Sequence, residues 1–66
     1  MKTESPHHLI ETRVRLVMHD RVIIGKLLRD YDASYYVETG KGKTYEQHYL
    51  HPLHIEGIWK DCIFLK

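Results

Sequence analysis

From Arg13 onward the chain repeats one pattern, a short run with apolar side chains at every second position and then a brief polar, glycine or proline turn. Val14, Leu16 and Met18 alternate with Arg13, Arg15 and Val17, the period of a strand with one buried face. His19-Asp20 turns the chain into Val22-Ile23-Ile24-Gly25-Lys26-Leu27-Leu28-Arg29. That run is apolar on both faces and predicts a long strand bent at Gly25. Tyr31-Asp32-Ala33-Ser34 has the composition of a turn, and Tyr35-Tyr36-Val37-Glu38-Thr39 that of a third strand. Gly40-Lys41-Gly42-Lys43 makes a flexible tip before a fourth strand over Thr44–Tyr49, and Pro52 interrupts the ladder. His54–Trp59 resumes as a fifth strand, and Cys62–Leu65 can add a sixth after Lys60-Asp61. Ahead of the strands, Ser5 as a cap, Pro6 at the first helical position and Leu9-Ile10 predict a short helix through Glu11 or Thr12. It must dock Leu9 and Ile10 on something apolar, because two turns are unstable alone. Connections this short join antiparallel strands and leave no room for crossovers, so a parallel sheet is excluded. The expected fold is all-β: a strongly bent, five-stranded antiparallel barrel behind a short N-terminal helix, one domain over residues 1–66.

Size adds a second constraint. A domain of about 60 residues buries only about 60% of its unfolded surface, so its core is marginal. One cysteine, Cys62, excludes an internal disulfide and suits a reducing compartment. Self-association is then the favoured source of further burial. An open barrel also leaves two margins with unpaired backbone, and Tyr45–Tyr49 and Ile55–Trp59 are the apolar candidates for them. No apolar run approaches the roughly 18 residues of a membrane span, and residues 1–8 lack the apolar core of a secretory signal, so a cytoplasmic location is expected.

Three constellations carry potential chemistry. His48-x-x-His51-x-x-His54, with Cys62 downstream, offers zinc-ligand types. Residues three apart on a strand point to opposite faces, however, and no paired-cysteine knuckle is present, so neither metal nor cofactor is expected. Ser34 and Cys62 are nucleophile types without a nucleophile elbow, an HExxH or a phosphate loop around them, and no enzyme is expected. Tyr31, Tyr35, Tyr36, Tyr45, Tyr49, His48 and His51 crowd the third and fourth strands, with Lys26, Arg29, Lys41 and Lys43 nearby. Aromatic faces for stacking beside cations for phosphates suit single-stranded RNA, although ten basic against nine acidic residues give a net charge of only +1.

Four of these segments together resemble the Sm-like family, closest in pattern to the bacterial Hfq-like proteins. They are the short helix before five strands, Val22-Ile23-Ile24-Gly25-Lys26-Leu27, Asp30-Tyr31-Asp32, and Tyr49-Leu50-His51-Pro52-Leu53. Leu50 stands where the last signature has a lysine. The resemblance covers about Ser5 to Ile58 and implies a ring-shaped homo-oligomer, commonly a hexamer, joined fourth strand to fifth. It also implies that Tyr49 and His51 line an RNA-binding pore.

The expectation is therefore an Sm-like protein that assembles into a ring and binds single-stranded RNA to regulate transcripts. Tyr49, His51, Tyr35 and Tyr36 would contact bases, and Lys41 and Lys43 phosphates. The alternative is an SH3-like adaptor or regulatory module whose partner is a protein and not a nucleic acid.

Overall fold

The computed structural model describes residues 6–66. Six strands form one sheet: β1 (Arg13–Val17), β2 (Val22–Arg29), β3 (Tyr35–Thr39), β4 (Glu46–Leu50), β5 (Ile55–Trp59) and β6 (Cys62–Leu65). Their spatial order is β4-β3-β2-β1-β6-β5. The first four pair antiparallel in chain order, and β5 pairs antiparallel with β6. The junction between these halves is parallel, with Arg15 beside Cys62, Leu16 beside Ile63 and Val17 beside Phe64. Among the described residues, no helix is long and apolar enough to cross a membrane.

This order overturns the expected five-stranded antiparallel barrel. An Sm-like or SH3-like closure needs the second margin of β1 for β5, and Cys62–Leu65 occupies that margin. β5 is displaced one place outward, and β4 and β5 end as the two margins with no ladder between them. Parallel pairing, expected to be excluded, occurs between β1 and β6, because residues 18–61 supply a long connection between these two strands even though neighbouring strands are joined too tightly for it.

The sheet is open but not flat. Six flat strands would separate their margins by about 24 Å. Residues 51–54 join β4 to β5 and span at most about 18 Å even when extended, and part of that link is a 3-10 turn, Pro52–His54. Leu50 and Ile55, at either end of the link, are accordingly buried in the same cluster. That cluster lies on one face: Val14, Leu16, Leu27, Val37 and Ile63 are fully buried, and Tyr35, Leu50 and Ile55 nearly so. The alternation read from Val14 and Leu16 thus places the core correctly.

The N-terminal segment is a 3-10 turn, His7–Leu9, in place of the expected helix; Ser5 lies outside the described residues. Thr12 closes it by donating its amide (3.0 Å) and hydroxyl (2.6 Å) to the Leu9 carbonyl. Glu11 then adopts a left-handed φ of 68°, and its amide donates to the Leu27 carbonyl at 2.7 Å. Capture by β2 ends the turn before a second helical turn can form. Leu9 and Ile10 pack against the core as their apolarity requires.

Gly25 marks a close approach between strands. A Cβ there would meet the Glu38 carbonyl oxygen, with Val37 Cγ1 at 2.7 Å and Thr39 Cγ2 at 2.8 Å. Because backbone must give way, Gly25→Ala is expected to cost about 1–3 kcal/mol. Urea denaturation measures this directly, and an unchanged midpoint would contradict the close approach.

Candidate binding surface

The face opposite the core is set by register. Cross-strand partners share a face, so one row runs Ile24–Arg15–Cys62–Trp59 across β2, β1, β6 and β5. The next row runs Val22–Val17–Phe64–Gly57. Val22, Ile24 and Trp59 are 55%, 52% and 65% exposed, and Val17 and Phe64 are half-buried between them. Gly57, opposite Phe64, adds no bulk, and the space where its side chain would stand is open. A shallow cleft beside this end is lined by Val17, Phe64 and Glu56 among others. Exposed apolar side chains scattered singly are ordinary; adjacent rows of them on one face are not.

A third row runs Arg13–Lys26–Glu38–Gln47. Arg13 and Lys26 are direct partners and put two cations side by side. Glu38 flanks Lys26 but is engaged elsewhere, accepting a hydrogen bond from the Tyr45 hydroxyl at 2.9 Å. Between this row and the β3–β4 connection lies an open cleft of about 600 Å³. Its lining includes Arg13, Ile24, Lys26 and Lys41.

The residues proposed from sequence do not form one site. Tyr35 is on the buried face, with the Arg29 guanidinium 5.4 Å from its ring centre, and cannot receive a base. Tyr36 and Tyr49 are brought together as cross-strand partners on the outer face, centroids 5.1 Å apart. They pack on each other, and the Tyr49 hydroxyl donates to Asp30 Oδ2 at 3.1 Å. His51 Nδ1 accepts the Leu53 amide at 3.2 Å and its ring lies against His54, a capping role at the margin. Lys41 and Lys43 sit at the far end of the β3–β4 hairpin, a strand length of roughly 13 Å away.

The expected flexible tip is an ordered 3-10 turn, Gly42–Thr44. Thr44 Oγ1 accepts the Lys41 amide at 3.0 Å and donates to the Lys41 carbonyl at 2.9 Å. Lys41 faces the cleft, and Lys43 stands outside it. Of the metal-ligand types, His48 pairs with Glu46 at 3.4 Å, and Cys62 Sγ donates to Asp61 Oδ1 at 3.5 Å. Among the described residues, no three His, Cys, Asp or Glu side chains gather around a common point.

No family model matches the chain, and no curated protein or solved structure matches it. The resemblance to the Sm-like family and its Hfq-like members is therefore not supported by kinship, and the open sheet removes its structural basis. With it fall the RNA-binding ring and its role in transcript regulation. No closed barrel, pore or RNA cleft assembles Tyr49 and His51 with Tyr35, Tyr36, Lys41 and Lys43. The SH3-like adaptor falls on the same ground, since it too presupposed the closed barrel.

Arg13, Arg15, Val22, Ile24, Phe64 and Trp59 are legible in the sequence as strand residues, Trp59 at a margin, but not as one shared surface. The signal was present in Val22-Ile23-Ile24 and Cys62-Ile63-Phe64-Leu65, which are apolar at positions facing both ways.

The two outer hydroxyls have a measurable signature. The hydrogen bond to Glu38 raises the Tyr45 pKa above its ordinary 10.0, and that to Asp30 does the same for Tyr49. Both contacts favour the neutral phenol. Their contribution is present below pH 10 and is lost as pH rises through the raised folded values. Ultraviolet titration should show Glu38→Gln lowering one tyrosine toward 10 and Asp30→Asn lowering another; unshifted titrations would contradict these contacts.

Proposed function

We propose that this chain is a non-catalytic binding domain whose working surface is the outer face of β2, β1, β6 and β5, and that its partner is a protein. One observation carries the reading: Val22, Ile24 and Trp59, each more than half exposed, share a face with Val17 and Phe64. Covering the half of such side chains that is still exposed is worth about 1–2 kcal/mol each, enough for a few of them to anchor an interface. Trp59 at one end and Ile24 at the other frame Arg15, the residue type most often found with tryptophan at energetic centres. In this reading the two nucleophile types serve structure: Cys62 Sγ donates to Asp61 Oδ1, and the Ser34 amide donates to Asp32 Oδ1 in the turn before β3. A free thiol on this face suits the reducing cytoplasm.

Selection from a randomised peptide library tests the surface. Enriched peptides should be rich in apolar residues. Their affinity should fall about tenfold or more on Ile24→Ser or Trp59→Ser, while the urea midpoint stays near that of the parent because both side chains are exposed. No enrichment, or binding indifferent to both substitutions, would overturn the proposal.

A further inference from the structure

We infer that the cleft beside Ile24 receives carboxylates from an acidic segment of the partner, whose apolar side chains lie on the adjoining rows. This rests on the reading of the outer face as the binding surface. The cleft holds about 600 Å³ and brings together Arg13, Lys26 and Lys41. Arg13 and Lys26 are directly opposite in the β1–β2 ladder, an arrangement that destabilises the free sheet. Glu38, opposite Lys26 on β3, offsets part of this charge while its Oε2 accepts from Tyr45, whose oxygen also accepts from Gln47 Nε2 at 3.0 Å; the lining still sets three cations against one carboxylate. Among the described residues no carboxylate oxygen lies within 4.0 Å of the Arg13, Lys26 or Lys41 side-chain nitrogens.

The backbone that carries Lys41 is fixed beside the cleft. Gly40 turns the chain with φ of 75°, and a side chain there would collide with the Thr44 carbonyl. The Thr44 bonds to Lys41 then fix the loop against the cleft. Arg13 offers a planar fork suited to bidentate carboxylate, and Lys26 and Lys41 offer point charges on either side.

Two other occupants fit less well. No residue lining the cleft is aromatic, so a single-stranded nucleic acid would find no stacking platform there. A second copy of this chain meeting the cleft by two-fold symmetry would present the same cations to themselves. Acidic side chains interspersed with apolar ones match both the charge and the neighbouring Ile24.

The same library, selected in parallel on the parent and on the double variant Arg13→Gln/Lys26→Gln, decides the matter. The variant removes a repulsion, so its urea midpoint should not fall below that of the parent. On the parent, enriched peptides should carry Asp or Glu beside their apolar residues and weaken as salt is raised. On the double variant, or after exchange of the peptide's glutamates for glutamine, affinity should fall tenfold or more. Apolar peptides without acidic enrichment, still sensitive to Ile24→Ser, would overturn the cleft assignment and leave the surface standing. Loss of that sensitivity as well would remove both. A mixed-sequence single-stranded oligonucleotide displacing the acidic peptide would also overturn the assignment, in favour of phosphates.

Discussion

The parallel contact between β1 and β6 determines the rest of the molecule. Leu16 and Ile63, partners in that ladder, are both fully buried, and they tie the last strand to the first. With β6 in place, β5 has no access to β1, and the sheet stays open with β4 and β5 as its margins. The His51–His54 connection then bends the sheet from outside, drawing Leu50 and Ile55 toward one core. A chain of 66 residues thereby builds a single-layer core without disulfides, by bending one apolar face over itself.

That contact also creates the outer surface. Arg15 and Val17 come from the first strand, Cys62 and Phe64 from the last, and they become neighbours only because those strands pair. Without β6 the apolar rows would be interrupted, and Trp59 would be separated from Ile24 and Arg15. Charge is distributed on the same principle. The net charge of +1 is nearly neutral, yet Arg13, Arg15 and Lys26 gather on one face. Local field, more than net charge, governs which partner such a face attracts.

What could be read from sequence was the local part of the fold. Tyr35–Thr39, Val22–Arg29 and Cys62–Leu65 form where their composition and flanking turns place them. The buried alternation of Val14 and Leu16 was equally legible, since a period of two depends on neighbours along the chain. Pairing between β1 and β6 was not, because nothing near Arg15 specifies a partner at Cys62. Gly25 illustrates the ambiguity: a glycine within an apolar run suits a barrel bend and a close interstrand approach alike, and Glu38 decides for the latter. At the candidate site the tyrosines drew the sequence reading, yet Tyr35 is core and Tyr36 packs on Tyr49. The surface that carries the proposal arises from both-faced apolar runs, whose meaning depends on how many layers the sheet has.

The most direct test of this account is nuclear Overhauser spectroscopy of the isotopically labelled chain, read at the β1–β6 junction. It should show interstrand contacts linking Arg15 with Cys62, Leu16 with Ile63 and Val17 with Phe64, all in a parallel pattern. Contacts between β1 and β5 in their place would restore a closed barrel and contradict both the fold and the surface built on it.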